Sequence, residues 1–167
     1  MTILPDRDYA RITILNGAAL STSYGGAMNK ACYRKLKRYK YQLVAPFHLP
    51  IGVRGFTVDT RYLKLDVDGW LQIAKGYAWD GPSGPTIDSL NFMRGSLVHD
   101  ALYQLIRIEE IPPRYKEYAD LLLKKTCLED GMSNFRANYV YQAVKLFGGS
   151  SAKPGSEKPD KIICVPV

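Results

Sequence analysis

The stretch from Gly76 to Tyr103, GYAWDGPSGPTIDSLNFMRGSLVHDALY, constrains the fold more than any other part of the chain. It reads as the end of a strand, a turn rich in glycine and proline, and then a helix. In that helix Leu97, Val98, Leu102, Leu105 and Ile106 put apolar side chains on nearly every side, and a helix apolar all round is a buried one. It nevertheless carries His99, Asp100 and Tyr103, and His99 is one of only two histidines in the protein. Residues four apart share a helix face, so His99 and Tyr103 point the same way, whereas Asp100 lies about 100° around the axis. A buried His–Asp pair must be hydrogen-bonded or metal-bound, because an unpaired buried charge is strongly unfavourable. The preceding turn, Asp80-Gly81-Pro82-Ser83-Gly84-Pro85, can aim backbone carbonyls inward.

The rest of the chain supplies a frame for this helix. With 167 residues it is long enough for one domain with a real core. Residues 1–40 read as an N-terminal arm with a basic segment, 41–149 as a single α+β domain, and 150–167 as an extended tail. In the arm, Tyr9 to Leu15 suits a short strand and Gly17 to Gly26 a loop. Tyr41 to His48 reads as a strand entering a turn at Pro46 to Gly52, with His48 a surface or packing residue of that turn. Apolar residues from Phe56 to Leu65 and from Trp70 to Ile73 flank Asp68-Gly69, the strongest local signal for a β-hairpin. The expected architecture is a small antiparallel β-sheet followed by three α-helices, the first two an antiparallel pair. Asp88 or Ser89 caps the first helix, which runs to about Arg107. Pro112-Pro113 opens the second, Arg114 to Glu129, which stops at Asp130-Gly131. Ser133 or Asn134 caps the third, Phe135 to Phe147, with Tyr139, Ala143, Leu146 and Phe147 as its apolar face.

Charge points to anionic partners. The net charge is +7 and the isoelectric point about 9.3, which favours nucleic acid, phospholipid headgroups or an acidic protein surface without choosing among them. Lys30 to Lys40 holds six basic residues interleaved with Tyr33 and Tyr39. That mixture suits a phosphate backbone or an anionic lipid surface; a solvated helix or arm on a basic protein is the commoner reason for such a charge run. Cys32, Cys127 and Cys164 are far apart and form neither a zinc pattern nor an even disulfide set, consistent with a reducing compartment. No signal-peptide pattern occupies the first thirty residues, and no apolar run reaches the length of a transmembrane segment.

The second helix brings the remaining piece of a possible site. It reads YADLLL, so Asp120 is a carboxylate within an apolar run. The short link from Glu109 to Pro113 makes the two helices antiparallel neighbours, which brings Asp120 towards His99 and Tyr103. A buried aspartate that accepts a proton from one imidazole nitrogen fixes the tautomer and frees the other nitrogen to act as a base. Tyr103 would donate to the same aspartate. Asp100, facing the glycine-rich turn, could join backbone carbonyls in an oxygen-rich calcium site.

These residues resemble two families. His-Asp-x-x-Tyr on a helix, a Gly-rich loop before it and Ala-Asp on the next antiparallel helix look like phospholipase A2, most of all the short, disulfide-free versions in parvovirus capsid proteins. The resemblance covers Asp80 to Asp120. It implies His99 as the base that activates water, Tyr103 and Asp120 as its supporting pair, Asp100 as a calcium ligand, and Asp80, Gly81 and Gly84 as parts of the calcium loop. Asp80, Pro82 and Pro85 depart from the family loop, and Pro85 has no N–H to donate. The run GYAWDGPSGPTID, followed by RGSLVHDALYQL and the Ala-Asp helix, also resembles an uncharacterised domain family of tailed bacteriophages and prophages, over roughly Val44 to Gly148. That likeness implies a phage or prophage origin, and with it the host cytoplasm or the virion as location.

Other chemistries fit less well. A histidine-rich metal phosphohydrolase needs more histidines than His48 and His99. Ser83 does not sit in a G-x-S-x-G elbow, because Pro85 stands where the last glycine belongs; Ser83 with His99 as its base remains a small alternative. The expectation is thus a phage protein with a phospholipase-A2-like site, a metal-assisted ester hydrolase. The alternative is a non-enzymatic virion or tail component, or a host-factor-binding protein, in which His99, Asp100, Tyr103 and Asp120 form a structural network.

Overall fold

The computed structural model describes residue 31, residues 33–35, 41–81 and 89–156. The expected strand at 9–15, the loop at 17–26, Asp88, Gly84 and the last eleven residues lie outside these. The class is α+β: among the described residues seven short strands precede three helices, and α1 (Leu90–Arg107) packs against α2 (Tyr115–Glu129), which packs in turn against α3 (Asn134–Phe147).

The strands form two antiparallel sheets rather than one. The first has the order β1 (Tyr33–Lys35), β2 (Tyr41–Leu43), β7 (Ala78–Trp79). The second has the order β3 (Phe47–Pro50), β6 (Trp70–Ile73), β5 (Leu63–Leu65), β4 (Val58–Asp59). The two are parts of one bent ribbon. Tyr41 pairs with Trp79 and Phe47 with Ile73, so the register is the same on both sides of the break. At the corner, Leu43 N–H donates to Tyr77 O and Gly76 N–H to Leu43 O, both at 2.9 Å. Pro46, which has no N–H, stands where the ladder would otherwise continue.

The Asp-Gly hairpin forms as expected between β5 and β6. Asp66 adds to it: its carboxylate accepts the N–H groups of Asp68 at 3.1 Å and Trp70 at 2.8 Å. Alternation on these strands buries Leu63, Leu65, Leu71 and Ile73 and leaves Lys64 exposed. His48 belongs to β3, paired with Gln72, and not to a turn; the strand continues through Leu49 and Pro50, and Pro50 ends it. Part of the basic segment is also a strand rather than a helix or free arm. Arg34 on β1 donates twice to Gln42 Oε1, at 2.6 and 3.0 Å, and the Tyr33 ring meets Tyr41 and Trp79 edge-on. Paired strands and aromatic contacts outweigh the charge of this stretch.

Helix bounds follow the local signals within a residue. Ser133 accepts the N–H of Arg136 at 3.4 Å as an N-cap, whereas Ser89 precedes α1 without a side-chain cap and donates to Asn91 Oδ1 instead. The main core joins both sheets to the inner faces of α1 and α2, and Leu97, Ala101, Leu102 and Leu105 are fully enclosed. A smaller cluster of Phe92, Leu123, Cys127, Met132, Ala137 and Val140 seals α3 to the other two helices. The apolar face expected on α3 is therefore not its packing face. Ala137 and Val140 are buried, and Tyr139, Leu146 and Phe147 are exposed. After Phe147 a short 3-10 turn, Gly148–Ser150, leads to Ala152, which is buried in the main core.

Candidate active site

His99, Tyr103 and Asp120 come together between α1 and α2, as their spacing predicts. His99 Nε2 lies 2.9 Å from Asp120 Oδ1, and the Tyr103 hydroxyl donates to the same oxygen at 2.7 Å. The imidazole and phenol rings stack at a tilt, with centroids 4.0 Å apart. All three side chains are buried, Asp120 almost completely.

A fourth member has no counterpart in the motif. Lys116, one helical turn before Asp120, donates to Asp120 Oδ2 at 2.8 Å. The i, i+4 spacing K-x-x-x-D was the signal that could have found it. Its ammonium also reaches Val144 O at 3.4 Å, in the last turn of α3. The same end of α3 presses on the phenol: a Cβ added at Gly148 would stand 2.5 Å from the Tyr103 hydroxyl. Glycine is required there by close approach, and α3 thereby closes the Tyr103–Lys116 side of the network.

Asp120 thus meets donors on both oxygens. Burial pushes its carboxyl up, but the hydrogen bonds from His99, Lys116 and Tyr103 outweigh that and hold it below the usual carboxylate range. An ionised Asp120 requires a proton on His99 Nε2, which fixes the tautomer of the neutral ring and leaves Nδ1 as the nitrogen free to titrate. Nδ1 faces Asp100, whose Oδ1 is 3.6 Å away. Burial works against the imidazolium, yet Asp100 and Asp120 together more than offset it, so the proton affinity of His99 is raised. Burial and nearby Asp80 raise the carboxyl of Asp100, although His99 and the backbone N–H of Asp80 draw it back. Burial and Asp120 both keep Tyr103 protonated.

The Asp100 side is where solvent approaches: 30% of that side chain is exposed, against 7% of His99. Asp80 and Gly81 follow β7, and Asp80 comes close to Asp100. Gly81 takes φ +67°, a conformation suited to glycine, and packs against the Tyr41 ring. Burial above all, and then Asp100 and Asp80, disfavour ionisation of Tyr77, with Arg107 acting in the opposite sense. Gly84 and Ser83 fall outside the described residues.

Among the described residues, no group of three or more His, Cys, Asp or Glu side chains is arranged around a metal position. Asp100 and Asp80 are neighbours, but a calcium shell takes six to eight oxygens. These two carboxylates alone supply only part of such a shell. Among the described residues, no helix is long and apolar enough to cross a membrane.

No protein-family model, curated protein or solved structure matches this chain.

Proposed function

We propose that this is an ester hydrolase, with phospholipid esters as the first substrate class, in which His99 activates water. The observation that carries the proposal is the fixed orientation of the imidazole: Asp120 engages Nε2 at 2.9 Å, and Nδ1 points to the partly exposed Asp100. In this scheme neutral His99 takes a proton from water at Nδ1 as the oxygen attacks the ester carbonyl. The tetrahedral intermediate then expels the alcohol, which leaves with the proton from Nδ1. Asp120 and Tyr103 hold the ring, and the negative charge of Asp120 stabilises the imidazolium formed on the way. Because the proton affinity of His99 is raised, the base form grows with alkalinity, and the rate is expected to rise from neutral pH upwards. Calcium, as the phospholipase A2 resemblance implies, would sit at Asp100 with Asp80 and the loop carbonyls and polarise the ester carbonyl. The likeness of GYAWDGPSGPT and HDALY to the tailed-phage family supports a phage setting, with the virion or the host cytoplasm as the place of action.

One observation favours a second reading. Lys116 completes the set of donors around Asp120, so the network is satisfied with no substrate present. In that case the protein is a non-enzymatic virion or tail component, or binds a host factor, and His99 ties α1 to α2. Phospholipid hydrolysis by the purified protein, with calcium and then with chelator, separates the two beside His99→Gln. The hydrolase reading expects fatty-acid release that falls at least a hundredfold in the variant while circular dichroism is unchanged. Equal release by both proteins, or none from either, would return the network to a structural role.

A further inference from the structure

Gly148 is a glycine for which the backbone gives no reason. It ends α3 with φ −72° and ψ −12°, ordinary right-handed backbone in which alanine is the more favourable residue. What the position lacks is room. A Cβ there would stand 2.5 Å from the Tyr103 hydroxyl, 3.2 Å from Cε2 and 3.3 Å from Cζ of the same ring. The chain around Gly148 is fastened to the network at further points. Lys116 donates to Asp120 Oδ2 at 2.8 Å and to Val144 O at 3.4 Å, with its ammonium 5.6 Å from the centre of the Tyr103 ring. Arg107, one turn after Tyr103, donates to Ser151 O at 3.0 Å, and Ala152 is buried in the main core.

We infer that the end of α3 and the 3-10 turn after it are a brace that sets the working geometry of His99, with Gly148 and Lys116 as positioning residues. The bare Cα of Gly148 leaves the space in which the Tyr103 hydroxyl reaches Asp120 Oδ1. Lys116 holds the other oxygen. The terminal torsion of an aspartate is broad, and one donor alone would leave the carboxylate free to turn; donors on both oxygens fix its plane, and with it the acceptor that His99 Nε2 meets. Both residues act on the Nε2 side of the imidazole, whereas Asp100 and the approach from solvent lie on the Nδ1 side. They therefore govern how fast His99 works rather than how well a substrate binds. The effect on rate rests on the hydrolase reading; the contact between Gly148 and Tyr103 does not.

Fatty-acid release from phosphatidylglycerol vesicles with calcium, by Gly148→Ala, Tyr103→Phe and the double variant, tests the brace. Gly148→Ala should lower kcat by about tenfold or more with KM unchanged, because a displaced phenol lets the carboxylate shift away from the imidazole. Tyr103→Phe removes the atom that the new Cβ would meet first, so Gly148→Ala should lower kcat by no more than about twofold in that background. Gly95→Ala controls for packing alone. Its Cβ would meet Cys127 Sγ and Leu123 Cδ1 at 3.0 Å, two helical turns before Tyr103, and its effect should be equal in both backgrounds. Lys116→Met should lower kcat as Gly148→Ala does, and Lys116→Arg, which can still donate to Asp120, should recover part of it. Wild-type kcat in Gly148→Ala or in Lys116→Met, or an equal loss on Gly148→Ala in both backgrounds, would overturn the brace. If no protein releases fatty acid, the hydrolase reading fails and denaturation midpoints carry the same cycle. A drop on Gly148→Ala that disappears with Tyr103→Phe, or a variant that folds only with it, then upholds the contact; equal drops, or failure to fold in both backgrounds, overturn it.

Discussion

The contact between α1 and α2 and the outer face of α3 invert the ordinary distribution of residue types. Between α1 and α2 the protein encloses His99, Tyr103 and Asp120, with Lys116 reaching in from the edge. On α3 it presents Phe135, Leu146 and Phe147 to the outside. Each departure has its own cause. The interior charges persist because every one meets an opposite charge or a donor, which lowers the desolvation cost that isolated groups would carry. The exterior side chains add little to the stability of the single chain, since most of the surface of Phe135, Leu146 and Phe147 stays exposed. Places where a sequence breaks its own pattern are where function is to be sought, and here there are two of them, back to back across the end of α3.

Substitutions should therefore act very differently in the two regions. The largest effect is expected from Asp120→Asn, which leaves Lys116 and a protonated His99 without their buried counter-charge. A loss of about 3–5 kcal/mol is expected from chemical denaturation; a change within the error of wild type would mean that the network is incidental. Lys116→Met deprives Asp120 Oδ2 of its donor and detaches the helix from Val144 O, for a loss of about 1.5–3 kcal/mol. If this variant matches wild type, water replaces the ammonium at no cost, and Lys116 is no part of the site.

A pH series separates the ionisable members. His99 binds its proton more tightly in the folded protein than the ordinary value of 6.5, so the stability it contributes is complete below that pH and is lost as pH rises through the folded value. Asp120 is shifted below 3.8; its contribution is present above that pH and fades as acid protonates it in the folded state. Asp100 is shifted above 3.8 and acts in the opposite sense, since its ionisation is disfavoured by folding. Denaturation midpoints between pH 5 and 9 should decline on the alkaline side for wild type and flatten in His99→Gln. Parallel curves for the two proteins would assign the decline to other groups.

The smallest effect belongs to α3. At dilute protein Phe135→Ser should change stability by no more than about 0.5 kcal/mol, as for surface positions generally. A large loss would show that the face is covered in the single chain and would remove the contrast between the two regions.

Much of the candidate site was legible in the sequence because its geometry is local. The i, i+4 spacing of His99 and Tyr103, the short link through Glu109 to Pro113, and the carboxylate in YADLLL together require one aspartate to approach two side chains. The hairpin at Asp68-Gly69 and the ends of the helices were legible for the same reason, since capping and turn chemistry act over a few residues. What was missed depends on distant parts of the chain. The corner at Pro46 and Gly76 divides one ribbon into two sheets, and it needs β2 and β7 to meet. The strand character of Tyr33 to Lys35 depends on Tyr41 and Trp79, across a ladder and an aromatic cluster.

The sequence by itself determined the order of the elements, the all-round apolar character of α1 and the convergence of His99, Tyr103 and Asp120, because helical periodicity and short connections leave few alternatives. Tertiary structure alone decided which face of α3 is buried. Small residues such as Ala137 permit close approach to the neighbouring helices, and that packing prevails over the larger but exposed area of Phe135 and Leu146. It also decided the environment of His99: the ammonium of Lys116 behind Asp120, the carboxylate of Asp100 before Nδ1, and the end of α3 against Tyr103. Proton affinity depends on charges gathered in space from several elements, and no local pattern in the chain encodes their sum.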